Sequence, residues 1–72
     1  MSAKEMFKKL GYEYELTEDN VIEYWKNIND INYEIDFDLD IKKLSILWNN
    51  NITLEELQAI NKQVEELGWL DE

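Results

Sequence analysis

From Tyr33 to Asp40 the chain alternates apolar and acidic residues without a break: Tyr-Glu-Ile-Asp-Phe-Asp-Leu-Asp. Side chains of a strand alternate with a period of two, so the segment predicts a strand with Tyr33, Ile35, Phe37 and Leu39 on one face. Glu34, Asp36, Asp38 and Asp40 fall on the other, spaced about 6.6 Å apart at ~3.3 Å per residue. The apolar face needs a core. The acidic face repels itself, so it is either tolerated solvent surface or a surface that meets something positive.

The segments on either side carry equally local signals. Ser2 and Glu5 have the S-x-x-E spacing of a capping box. Ala3, Met6, Phe7 and Leu10 follow as one helical stripe, and Gly11 stands where a left-handed C-cap is wanted. A helix this short is not stable alone and must lie on something. Tyr12, Tyr14 and Leu16 alternate with Glu13 and Glu15 as a first strand, and Thr17 to Asn20 make a turn. Val21 to Ile28, rich in β-branched and aromatic residues, is a second strand. Its facing is open: either Ile22, Tyr24 and Ile28 face the core, or Val21, Glu23 and Trp25 do. The first choice buries no charge except near Lys26 and is preferred; it leaves Trp25 outside. Asn29 to Asn32 form the turn into the acidic strand, and Asp40 to Lys42 the next reversal. Leu44, Ile46 and Trp48 alternate with Lys43, Ser45 and Leu47 as a fourth strand, ended by Asn49-Asn50-Asn51. Trp48 is expected in the core or against a helix end.

Thr53 and Glu56 form a second capping box, with Ile52 and Leu57 placed to make a hydrophobic staple. Leu54, Leu57, Ile60, Val64 and Leu67 make the expected buried stripe. Gly68 ends the helix, and Trp69 folds back on its last turn. The order is helix, four strands, helix. Short connections favour an antiparallel meander, with both helices covering its one apolar face. The expectation is a single domain over residues 1–72, a two-layer α+β fold of the αββββα type.

Composition narrows the function classes. Seventeen of the 72 residues are Asp or Glu against seven lysines, a formal net charge of −10. Nucleic acid and anionic membrane surfaces both require a basic footprint, so neither is an expected direct partner. No histidine and no cysteine are present, which removes the commonest general base, the commonest metal ligand and any thiolate chemistry. No apolar run approaches the ~18 residues of a membrane span. Lack of cysteine fits a cytoplasmic protein.

Asp36, Asp38 and Asp40 read D-x-D-x-D, the opening of an EF-hand loop. Ile41 stands at the sixth position, where glycine is needed, and no glutamate stands at the twelfth. A solvated strand face is the better reading, and no metal or cofactor is expected. Carboxylates on an open sheet lack the desolvated cleft that acid–base catalysis needs, and no nucleophile–base pair or phosphate loop accompanies them. The chain is expected not to be an enzyme. The outer face remains. Glu34, Asp36 and Asp38 lie beside Glu23 and Trp25, with Glu13 and Glu15 one strand further on and Lys43 at the border. Acids on the solvent side of a sheet are common. Their number here, on strands that usually carry Thr or Lys outside, makes the face a candidate surface for lysines and arginines that grip phosphates.

The opening Ser2-Ala3-Lys4-Glu5-Met6-Phe7-Lys8-Lys9-Leu10-Gly11-Tyr12-Glu13 resembles the start of many small phage and prophage proteins. The close, Ile52-Thr53-Leu54-Glu55-Glu56-Leu57-Gln58-Ala59-Ile60-Asn61-Lys62-Gln63 through Glu66-Leu67-Gly68-Trp69, is similar to their end. The resemblance covers both helices, about half of the chain. It implies a phage or mobile-element origin and carries over no catalytic residue. Small acidic phage proteins include anti-CRISPR inhibitors that occupy a nuclease's nucleic-acid channel. On size, charge and context the expected function is of that kind. It is a nucleic-acid mimic in the host bacterial cytoplasm whose Glu13, Glu15, Glu23, Glu34, Asp36 and Asp38 meet a basic enzyme surface, with Trp25 as anchor. The alternative is a structural or regulatory interaction module, a homodimer formed through the helices or through the fourth strand as a sheet edge with Leu47 outside.

Overall fold

Two capped helices bracket an antiparallel sheet. The computed structural model describes residues 1–70. Its elements are α1 (Ala3–Lys9), β1 (Glu13–Leu16), β2 (Val21–Ile28), β3 (Ile31–Asp38), β4 (Lys43–Leu47) and α2 (Leu54–Glu66). The strands lie in chain order β1-β2-β3-β4 in one open sheet, each antiparallel to the next. This is the expected two-layer αββββα meander.

Both capping boxes form. Ser2 Oγ accepts from the Glu5 N–H at 3.1 Å and Thr53 Oγ1 from the Glu56 N–H at 3.1 Å, while each glutamate carboxylate accepts the cap's own N–H at 2.9 Å. The two helices also stop alike. Gly11 and Gly68 take φ of 93° and 72°. Tyr12 N–H reaches back to Phe7 O at 3.0 Å, and Trp69 N–H to Val64 O at 3.2 Å, closing a Schellman loop in each case. The residue after each glycine is an aromatic that folds onto the core.

The turns are tighter than the sequence suggests. β2 and β3 are joined by Asn29 and Asp30 alone, with φ of 52° and 64°, a two-residue turn in which both side chains tolerate the left-handed region. The sequence-based turn over residues 29–32 is therefore too long, because Ile31 and Asn32 already pair with Ile28 and Asn27. At the other end of β3 the Asp38 carboxylate accepts the N–H groups of Asp40 and Ile41 at 3.1 and 3.3 Å. This Asx-type turn ends the strand at Asp38. Asp40 is thus outside the acidic row, and its carboxylate accepts from Asn20 Nδ2 at 2.8 Å.

Ile22, Tyr24, Ile35 and Phe37 face the helices with Phe7, Tyr12, Ala59 and Ile60, which settles the facing of β2 in favour of Ile22 and Tyr24; Ile28, expected in the core with them, lies at the end of the strand and is 47% exposed. Phe7 of α1 stacks on Tyr24 with ring centroids 3.9 Å apart, and Phe37 presents an edge to both rings. Lys26, on the same side, is satisfied. Its Nζ donates to Leu10 O at 3.0 Å, at the C-terminus of α1, and lies 4.5 Å from the Tyr12 ring centroid.

The inward stripe of α2 is rotated from the expected one. Ile60, Val64 and Leu67 pack on the core, but Leu54 and Leu57 are 65% and 47% exposed. Glu56, Ala59 and Gln63 are buried instead. The reason is polar. The Tyr24 hydroxyl donates to Gln63 Oε1 at 2.5 Å, and the Tyr12 hydroxyl donates to the Glu56 carboxylate. A buried tyrosine needs a partner for its hydroxyl, and α2 turns to supply two. Ile52 packs against the core while Leu57, its expected staple partner, stays exposed.

Candidate functional site

The outer face of the sheet follows from the register. Across one row lie Glu13, Trp25, Glu34 and Leu47; across the next, Glu15, Glu23, Asp36 and Ser45; across the last, Val21, Asp38 and Lys43. Every residue expected on the outer face of these strands is there except Asp40, which lies in the turn beyond the end of β3. Directly opposed residues in an antiparallel pair lie about 4.5–5.5 Å apart at Cα, so like charges in a row must interact.

They do so most strongly at Glu23, Glu34 and Asp36. One carboxylate oxygen from each lies within 4.8 Å of the other two. All three residues are half-buried rather than free in solvent. Asp36 Oδ1 is buried without a hydrogen-bond partner. Burial first, and then the neighbouring Glu34 and Glu23 carboxylates, push the Asp36 carboxyl up to about 7. Glu23 is also raised, by burial first and then by Glu34 and Glu15. Three oxygens so placed could contribute to a hard-cation site, although Ca²⁺ takes about 6–8 oxygen ligands.

No lysine neutralises this group. Among the described residues the one ion pair joins Lys62 to Glu65 at 3.5 Å, on α2. Glu13 and Glu15 flank the cluster from the exposed edge strand β1. Asp38 belongs to the face but not to the cluster, because one of its oxygens holds the β3–β4 turn.

Trp25, 37% exposed, sits between Glu13 and Glu34. A second indole joins it that the alternating pattern had assigned to the core. Trp48 is 73% exposed and lies beyond the end of β4. The Asn49 N–H donates to Leu47 O at 2.8 Å across Trp48, whose φ is 72°. That is a γ-turn with a bulky residue at its positive-φ centre, a rare and strained geometry. Trp25 and Trp48 line one cleft with Asn27, Asn32 and Glu34. The three asparagines after Trp48 were the available signal that the strand stops early.

The fold and the face together define a small α+β domain with a carboxylate-rich, tryptophan-bearing sheet surface. Comparison with protein-family models, curated protein sequences and solved structures found no match. Among the described residues, no helix is long and apolar enough to cross a membrane.

Proposed function

We propose that the chain is a small acidic protein of phage type that binds and inhibits a host nucleic-acid enzyme, its sheet face standing in for the phosphates of the enzyme's substrate. The observation that carries the reading is the unneutralised cluster of Glu23, Glu34 and Asp36, with an unpartnered buried oxygen on Asp36. Crowding like charges on one face destabilises the folded chain, and a partner rich in lysine and arginine relieves that repulsion on contact. Glu13 and Glu15 extend the charge across β1, and Trp25 supplies an aromatic anchor. The anti-CRISPR type is the most concrete form of this reading, with the face occupying residues that hold phosphates or read a protospacer-adjacent motif.

The test is capture of partners from a CRISPR-bearing bacterial lysate, washed at low and high salt, with wild type and a Glu23→Gln/Asp36→Asn double variant. A nucleic-acid enzyme held at low salt, released at high salt and lost with the double variant supports the reading, since exposed charges are screened beyond about 8 Å at physiological ionic strength. A partner indifferent to salt and to both substitutions refutes it.

A homodimer is the second reading. β4 is a sheet edge, and Leu44 on it is exposed. A native mass of two chains that persists in high salt would favour it.

A further inference from the structure

The cleft beside Trp25 and Trp48 carries more than a general acidic surface does. Its volume is about 230 Å³, below the roughly 300–1,000 Å³ of small-molecule sites and on the scale of one side chain. Two indoles and a carboxylate line it. Asn27 and Asn32 are tied to each other across the β2–β3 ladder, Nδ2 to Oδ1 at 2.7 Å, which fixes the remaining polar side. Lys26 and Tyr33 also border the cleft; the Lys26 ammonium donates to Leu10 O and lies over the Tyr12 and Tyr33 rings, 4.5 and 5.2 Å from their centroids, so it is already engaged on the inner side.

Two further features point to a cationic, planar occupant. Glu13 and Glu34 stand directly opposite Trp25 on its two neighbouring strands, so the indole is bracketed by carboxylates. Aromatic faces beside carboxylates bind cations, and tryptophan does so best. The γ-turn at Trp48 is the independent observation. A strained backbone position that carries an indole left 73% exposed is not explained by core packing and is accounted for by a contact made outside the fold.

We propose that this cleft is a socket for an arginine side chain presented by the protein partner, with the guanidinium stacked against Trp25 and Trp48 and forked onto the Glu34 carboxylate. The proposal rests on the reading of the acidic face as a surface for a basic protein, and it names the group that anchors there. Arginine is specified over lysine because its planar, weakly hydrated guanidinium both stacks on indoles and pairs with a carboxylate through two N–H groups, whereas the ammonium of lysine is a hydrated point charge.

The test follows the three tryptophan indole N–H resonances during titration with the capped tripeptides Gly-Arg-Gly, Gly-Lys-Gly and Gly-citrulline-Gly. Trp69, half-buried against Phe37 on the opposite side of the sheet from Trp25, serves as the internal control. The expected result is saturable movement of Trp25 and Trp48 with the arginine peptide, at least fivefold weaker binding of the lysine peptide, and no binding of the uncharged citrulline isostere. Glu34→Gln and Trp48→Ala should each weaken the arginine peptide at least tenfold with Trp69 unmoved. Equal response to lysine and arginine, response to citrulline, or a silent Trp48 overturns the socket.

A deca-arginine peptide separates this proposal from the reading beneath it. If deca-arginine binds in a salt-sensitive way that Glu23→Gln/Asp36→Asn abolishes, yet Trp48→Ala binds it equally well, the acidic face stands and the socket falls. If deca-arginine does not bind at low salt, both fall.

Discussion

Asp36 stands directly across from Glu23 in the β2–β3 ladder, and the carboxylates of both converge with that of Glu34. Like charges opposed across a sheet are destabilising, and this pair is half-buried, where the repulsion is least screened. The same sheet's other face is ordinary: aromatic and β-branched residues closed by two capped helices. The molecule therefore concentrates its local rule-breaking on one side, the side a partner can reach. Sites where a sequence violates its own fold's preferences are where function is most reasonably sought.

The Asp36 carboxyl is raised to about 7, by burial first and then by Glu34 and Glu23. The folded state then holds this proton more tightly than the unfolded chain, whose aspartate titrates near ~3.9. The group's contribution to stability is complete below that range and is lost as pH rises through about 7. Asp36→Asn should therefore raise the melting temperature by a few degrees at pH 8, equivalent to about 1 kcal/mol after solvent screening, and bring no gain near pH 4. Thermal melts of both proteins at the two pH values decide it; equal loss of stability at both would refute the raised Asp36 carboxyl.

Glu56 behaves in the opposite sense. Burial acts to raise its carboxyl, but the Thr53 N–H, the Tyr12 hydroxyl and the Thr53 side chain, with Lys26 nearby, hold it below the usual carboxylate range. Its stabilisation is present above the ordinary glutamate pKa and is lost as pH falls through the lowered one, so it sets part of the acid limb of unfolding. Glu56→Ala removes half of a capping box and strands the buried Tyr12 hydroxyl, at a combined cost of about 2–4 kcal/mol. Glu56→Gln, which keeps an acceptor, should cost about half as much. Urea unfolding at pH 7 measures both, and an alanine variant within ~0.5 kcal/mol of wild type, the range of an ordinary surface substitution, would show that the network is ornamental.

Two tryptophans should answer substitution with opposite signs. Trp69 is half-buried with its ring 6.1 Å from Phe37, so Trp69→Ala should destabilise by about 2–3 kcal/mol. Trp48 is exposed at φ 72°, a conformation glycine adopts without strain. Trp48→Gly should raise stability by about 1 kcal/mol, the strain released exceeding the added freedom of the unfolded chain. Denaturation of the two variants side by side is sufficient, and a Trp48→Gly chain as weakened as Trp69→Ala would mean that the exposed indole supports the fold.

The elements and the facing of the acidic strand were legible because their signals are local: alternation at Tyr33–Leu39, capping boxes at Ser2 and Thr53, glycines at 11 and 68. The failures share a physical origin. Glu56 and Gln63 look like solvent residues until the hydroxyls of Tyr12 and Tyr24, far away in sequence, claim them, and that claim rotates α2 and exposes Leu54 and Leu57. Trp48 continues the alternation of β4 in the sequence, but a γ-turn breaks the pattern at a residue type that rarely tolerates one. Asp40 falls out of the acidic row because Asp38 spends an oxygen on the turn. The acidic face was readable as a list of charges; its convergence at Asp36 required the register.

Glu15 offers a way to separate stability from binding. It faces Glu23 directly across the β1–β2 pair, at the exposed edge of the sheet. Glu15→Lys turns a like-charge pair into an opposite one, and cross-strand pairs of this kind are worth about 0.2–1 kcal/mol. The variant should melt a few degrees higher than wild type at low salt, and the gain should shrink as salt is added. If the face meets a basic partner, the same substitution places a lysine against that partner's cations and should weaken low-salt capture at least tenfold despite the sturdier fold. A variant that is more stable and captures equally well would remove β1 from the contact surface and confine it to Glu23, Glu34, Asp36 and the tryptophans.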